Sequence, residues 1–143
     1  MINIIIINGP NLNLLGRREK EIYGSVSFEA FFKTLESQFP DISLTFFQSN
    51  HEGELIDKLQ EVGFSYEGII LNAAGYTHTS IALMDTVKAI TTPVVEVHIS
   101  DIEAREAFRK FSYISLAAAH IIKGKGLIGY KEGVEWLLEN YKN

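Results

Sequence analysis

Ile4 to Ile7 form an unbroken β-branched run that stops at Asn8-Gly9-Pro10, the pattern of a strand buried on both faces and ended by a turn. Phe28, Phe31, Phe32, Leu35 and Phe39 then recur at helical spacing as far as Pro40, and Ile42 to Phe47 predict the next strand. Ser49-Asn50-His51-Glu52 reads as a capping box that opens a helix through Val62, before a third buried strand from Gly68 to Asn72. Thr79 or Ser80 can cap a helix to about Ile90, and Pro93 precedes a fourth strand from Val94 that ends at His98. Ser100-Asp101-Ile102-Glu103 offers another capping box, with a helix after it. The last unit runs from Ala118 to Lys123 and through a glycine-containing turn. An amphipathic helix holding Val134, Leu137, Leu138 and Tyr141 follows.

Five strands alternating with helices predict an α/β, flavodoxin-like open five-stranded parallel sheet, order 2-1-3-4-5, with helices on both faces. Its 143 residues match one catalytic domain spanning 1–143. Ligands in such sheets bind beyond the carboxyl ends of the strands where the winding reverses, here between strands one and three with strand four beside them. The loops Asn8 to Tyr23, Asn72 to Thr79 and His98 to Ser100 should therefore converge.

Composition narrows what that crevice can meet. A net charge of -5 and a pI near 5.3, with no basic tract, leave nucleic acid an unfavoured partner. The hydrophobic share of 46% supplies a core, and the absence of cysteine excludes disulfides and thiolate metal sites. The first apolar run is too short to span a bilayer and has neither a basic start nor a cleavage signal, so neither a membrane nor a leader is expected.

The first loop is longer than an ordinary strand-to-helix connection, and its Arg17 and Arg18 can favour the phenolate of Tyr23 and make it a base. The same segment also fits a solvated charged loop with a tyrosine packed at its root. Asn72-Ala73-Ala74-Gly75-Tyr76-Thr77-His78-Thr79-Ser80 leaves a strand and enters a helix, so its amides and hydroxyls face the crevice, and His78 can donate to a hydroxyl. A capped helix start with a surface histidine explains the same residues.

Glu96 and His98 lie on one side of strand four by its period of two, and a carboxylate beside an imidazole fixes its tautomer and suits it to general acid work. A structural histidine satisfied by the glutamate is the alternative. The amides of Ile99 and Ser100 can cradle a carboxylate, while Ser100 can also cap the helix that follows. Arg105 and Arg109, four apart on that helix, share a face and either can clamp a carboxylate or a hydroxyl. A basic stripe balanced by Glu103 and Glu106 is the plainer reading. Asp85 points away from the apolar arc of its own helix.

Gly124-Lys125-Gly126-Leu127-Ile128-Gly129 fits G-x-G-x-x-G in form, but it lies in the wrong βα unit and lacks the acidic residue about 20 positions on, so it predicts a tight turn rather than a dinucleotide site. His51, His78, His98 and His120 show no metal-ligand spacing.

The run Gly9-Pro10-Asn11-Leu12-Asn13-Leu14-Leu15-Gly16, then Arg17-Arg18-Glu19 and Tyr23-Gly24, resembles the opening of type II 3-dehydroquinate dehydratases. Leu71-Asn72-Ala73-Ala74-Gly75-Tyr76-Thr77-His78-Thr79-Ser80, Glu96-Val97-His98-Ile99-Ser100, Ala104-Arg105-Glu106, Phe108-Arg109 and Ser112-Tyr113 continue the likeness over essentially the whole chain. The resemblance implies a cofactor-free lyase that dehydrates 3-dehydroquinate to 3-dehydroshikimate in the shikimate pathway of aromatic amino acid biosynthesis, by anti elimination through an enolate. It casts Tyr23 as base, Arg18 as its phenolate partner, Asn11 as holder of a water near the enolate oxygen, and His98, oriented by Glu96, as acid. Asn72, His78 and Arg109 would bind ring hydroxyls, and Ile99 with Ser100 the carboxylate. Asp85 would reach a neighbouring subunit's site in a homododecamer, a tetramer of trimers, in the cytoplasm. Lys20 stands where the family usually has proline and His120 where glycine is common, which puts loop stiffness and local strand packing in doubt. A non-enzymatic flavodoxin-like binding or receiver module is the alternative. A receiver needs acids after strands one and three, where this chain has Asn8 and Asn72.

Overall fold

The computed structural model describes residues 1–17, 21 and 25–141. Its sheet has five strands, β1 (Ile2–Asn8), β2 (Ile42–Gln48), β3 (Gly68–Asn72), β4 (Val94–His98) and β5 (His120–Lys123), in the order β2-β1-β3-β4-β5. Every pairing is parallel, as the predicted topology requires.

Period-two alternation in β1 divides the core. Ile4 and Ile6 pack with Phe28, Phe32, Tyr130, Val134 and Leu137 on one face of the sheet, and Ile5 and Ile7 with Leu55, Leu59, Leu83 and Val87 on the other. Helices α1 (Phe28–Ser37) and α4 (Ile128–Asn140) therefore cover one side, and α2 (Glu52–Val62) and α3 (Ile81–Ala89) the other. Close packing fixes two small residues. A Cβ on Gly68 would lie 2.7 Å from Leu137 Cδ1, and one on Gly9 would lie 2.5 Å from the carbonyl oxygen of Ala73.

Caps explain where the helices begin. Ser27 Oγ accepts from Ala30 N at the head of α1, and Ser80 Oγ accepts from Leu83 N at the head of α3, so Ser80 rather than Thr79 is the cap. The expected capping box at Ser49 to Glu52 is not formed. His51 is the N-cap residue of α2 and gives no side-chain cap, because Ser49 accepts from His51 N and donates to Glu54, while Glu52 accepts from Ser80. Tyr141 ends α4 as its C-cap rather than extending the amphipathic stripe.

The larger correction follows β4. The helix expected beyond Ser100 is replaced by short 3-10 turns at Ile102–Ala104 and Ala107–Arg109. Asp101, not Ser100, caps the first of them through Glu103 N at 3.0 Å. Competition from this Asx-type bond and the extended backbone of Arg105 break the helix before it can propagate. The departure at His120 packs well, since its imidazole stacks on Trp136 with ring centroids 4.8 Å apart and planes 4° apart.

Candidate active site

The carboxyl ends of β1, β3 and β4 meet in a cleft of about 610 Å³, mouth included, lined by Pro10, Asn11, Leu12, Asn72, Ala74, Gly75, His78, His98, Ile99, Ser100, Ile102, Arg105 and Arg109. It lies at the reversal of winding, where an open α/β sheet binds ligands. Asn11, Asn72, His78, His98, Ile99, Ser100 and Arg109 are thus brought together as the sequence predicts. Arg105 and Arg109 share this wall even though no helix aligns them. Tyr23 and Arg18 lie outside the described residues. Asp85 is exposed on α3 and is not among the residues lining the cleft.

On β4 Glu96 and His98 are both buried, at 1% and 4% exposure, and His98 Nε2 pairs with Glu96 Oε2. Ser112 Oγ donates to the same oxygen at 2.6 Å and Ser115 Oγ to the other at 2.5 Å. Burial alone pushes the Glu96 carboxyl up, but hydrogen bonds from His98, Ser112 and Ser115 and the charge of His98 outweigh it and hold it below its ordinary value. With Nε2 committed, Nδ1 is the ring nitrogen left for the cleft that His98 lines.

His78 is arranged differently. Its Nδ1 sits 2.8 Å from the carbonyl oxygen of Phe111, so Nδ1 carries the proton. Burial lowers its pKa, the Phe111 carbonyl partly opposes this, and the positive charges of His98, Arg109 and Arg105 add to the lowering. A neutral ring with its N–H spent offers the cleft an acceptor at Nε2.

Asn72 is fixed from below by a tyrosine whose role the sequence does not announce. Its Nδ2 donates to Tyr130 Oη at 2.9 Å, Tyr130 Oη donates to Asn8 Oδ1 at 2.8 Å, and Asn72 Oδ1 accepts from Ala74 N at 3.1 Å. The Ala74 amide can only donate, so the orientation of the carboxamide is determined and one N–H remains for a ligand. Burial raises the Tyr130 phenol well above its usual range, keeping it neutral and able to donate and accept at once.

The backbone at the cleft is held in costly conformations. Asn11 and Ala74 have φ of 70° and 52°, the positive values that side chains other than glycine seldom adopt. Asn50 Oδ1 accepts from Asn11 N at 3.0 Å and from Gln48 Nε2 at 3.2 Å, so the end of β2 holds the first loop in place.

The glycine turn after β5 also serves the site. Gly124 N donates to the carbonyl oxygens of His98 and Ser100, and Gly126 N donates to that of Ile99, from φ values of 76° and 64°. In a planar trans peptide the N–H points opposite to the C=O, so the N–H groups of Ile99 and Ser100 point away from the turn. Both residues line the cleft and neither glycine does. Near them Arg109 is braced by Glu106 Oε2 at 2.7 Å.

Paired N–H groups and guanidinium groups suit an anion, a donor and an acceptor in the same cleft suit hydroxyls, and a carboxylate-anchored imidazole beside them gives the chain the site of an acid–base enzyme. Comparison with known proteins specifies the family. The family model for class II dehydroquinases matches residues 2–138. A 3-dehydroquinate dehydratase of Exiguobacterium is 51% identical over 143 residues, covering 99% of this chain and 98% of its own. The crystal structure of a type II dehydroquinase from Butyrivibrio crossotus superposes with a TM-score of 0.92 at 40% identity, covering 96% of this chain and 97% of its own. One from Propionibacterium acnes gives 0.94 at 32% identity, covering 98% of each chain. The chain belongs to the class II dehydroquinase family and is a hydro-lyase.

Proposed function

We propose that the chain dehydrates 3-dehydroquinate to 3-dehydroshikimate by anti elimination, with Tyr23 as base and His98 as acid. Tyr23, its phenolate favoured by Arg18, takes the proton from carbon 2, and the electron pair moves into the ring carbonyl to give an enolate, beside which Asn11 holds a water. Collapse of the enolate forms the carbon 1 to carbon 2 double bond and expels the carbon 1 hydroxyl, which leaves as water with a proton from His98 Nδ1. Each step is assigned to a side chain.

The observation that carries this reading is the Glu96-anchored His98, buried on one side and opening onto the cleft on the other. The proposed acid needs a fixed tautomer and a counter-charge for its imidazolium, and Glu96 supplies both. The free N–H of Asn72 and Nε2 of His78 form a donor and acceptor pair for ring hydroxyls. The amides of Ile99 and Ser100, with the Ser100 hydroxyl, receive the carboxylate and Arg109 a hydroxyl. Asp85, exposed on α3, is available to a neighbouring subunit's site in a homododecamer. The 143 residues act as one cytoplasmic catalytic unit. Among the described residues no helix is long and apolar enough to cross a membrane.

Purified protein mixed with 3-dehydroquinate should develop the ultraviolet absorbance of the enone product. Tyr23→Phe should abolish that signal and still bind substrate. Absence of turnover by the unmodified chain refutes the reading, and full activity in Tyr23→Phe reassigns the base.

A further inference from the structure

Residues 111–115 touch the His78 imidazole directly and the His98 imidazole through Glu96, without being among the residues that line the cleft. The Phe111 carbonyl fixes His78, Ser112 and Ser115 take the two oxygens of Glu96, and Ser115 N donates back to Ser112 Oγ at 3.0 Å. Tyr113 N donates to the Thr77 carbonyl at 3.0 Å, tying the segment to the loop that carries His78. Ile114, fully buried in the same core cluster as Leu83 and Val87 of α3, roots it in the core. One short piece of chain therefore spans the loop after β3 and the end of β4.

We infer that this segment is a clamp and that Ser112 and Ser115 are positioning residues, which aim the Glu96 carboxylate at His98 Nε2 and so hold Nδ1 in line with the leaving hydroxyl. The inference rests on the proposed role of His98 as acid. A buried carboxylate needs donors for both oxygens, or it rotates toward whatever remains or takes up a proton. Here His98 and Ser112 share Oε2, which leaves Oε1 to Ser115. Without the two hydroxyls, His98 is the hydrogen-bond partner left to Glu96 among the described residues, and the carboxylate is free to turn about it. Among the described residues that line the cleft, the charged or titratable groups besides His98 are His78, Arg105 and Arg109, none of them an acid that could replace Glu96.

The decisive experiment combines the pH dependence of turnover with ¹⁵N NMR of the histidine rings in the Ser112→Ala/Ser115→Ala double variant and in each single variant. The clamp predicts that kcat falls by about tenfold or more, out of the roughly 10²–10⁴ that a positioned general acid supplies, with KM nearly unchanged. The acid-side loss of activity moves to higher pH, and the His98 ring signals show an altered tautomer balance. Ser115→Thr, which keeps the hydroxyl, restores both readouts. Unchanged His98 signals in the folded variant overturn the clamp whatever the reaction is. Absence of turnover in the unmodified protein with altered His98 signals overturns the assigned reaction and leaves the clamp standing. If the double variant does not fold, Ser115→Ala at its partly exposed position carries the test, and unchanged kcat and His98 signals there overturn the inference.

Discussion

At the end of β4 a carboxylate is buried with an imidazole and two hydroxyls, and at the ends of β1 and β3 two carboxamides are buried with one phenol. Both clusters lie under the same cleft, and both have most of their hydrogen-bonding capacity satisfied within the protein. They differ in charge. The β4 cluster contains an ionised acid whose pKa burial raises and its partners lower further, so it can lend charge to a reacting proton. The β1 and β3 cluster is neutral, its phenol driven away from ionisation by full burial, so it can hold a shape and present one N–H without taking part in proton transfer. In the proposed mechanism the fixed neutral groups bind and the anchored charged pair reacts, and their placement on different strands lets each be set separately.

Breaking the charged cluster should have the largest effect. Glu96→Gln is expected to lower kcat by about 10²-fold or more, because a neutral amide no longer stabilises an imidazolium. It should also change stability against pH. The folded Glu96 pKa lies below its ordinary value of 4.5, so its contribution is present above that value and is lost as the pH falls through the lower folded value. Unfolding measured by denaturant from neutral to acid pH should therefore show a shallower acid decline in Glu96→Gln than in the unmodified protein. An identical slope would mean that Glu96 is not the group concerned.

Breaking the neutral cluster should cost stability before activity. Tyr130→Phe leaves Asn72 Nδ2 and Asn8 Oδ1 each without its buried partner, a loss of about 1–3 kcal/mol in denaturant unfolding. Loosening of Asn72 should raise KM several-fold with a smaller change in kcat. A large fall in kcat with KM unchanged would place Tyr130 in the chemistry and erase the contrast. The smallest effect is expected at the glycine turn after β5. A Cβ on Gly126 would meet nothing within 4 Å, so Gly126→Ala strains only the backbone at φ 64°, at about 1–2 kcal/mol. If its N–H aims the Ser100 amide at the substrate carboxylate, KM rises and kcat holds. Unchanged KM would detach the turn from the site.

How much of this the sequence discloses depends on distance along the chain. Glu96 and His98 are two apart on a strand, so periodicity alone puts them side by side, and the order of strands places them beside Asn72. The β-branched runs are as explicit, since Ile4 to Ile7 can be buried on both faces only inside a parallel sheet. Ser112 and Ser115 reach Glu96 across 16 and 19 residues, and Tyr130 reaches Asn8 across 122, separations at which no local pattern operates. A tyrosine in the middle of an apolar helical face is the one available signal for Tyr130, because a buried phenol needs a partner. The Arg105 and Arg109 pairing was readable for an indirect reason: helical spacing suggested a shared face, and the tertiary path of two 3-10 turns delivers both to the cleft. Glycines 124 and 126 were readable as a turn, but which carbonyls that turn would bind was not.

In the proposed mechanism proton removal and hydroxyl loss are handled by different residues, with His98 confined to the second. Solvent deuterium exchange at carbon 2 of 3-dehydroquinate, followed by NMR alongside enone formation in His98→Asn, separates the two steps. The account predicts that exchange persists while enone formation falls by about 10²–10⁴-fold. Equal loss of both would contradict it and make His98 part of the base.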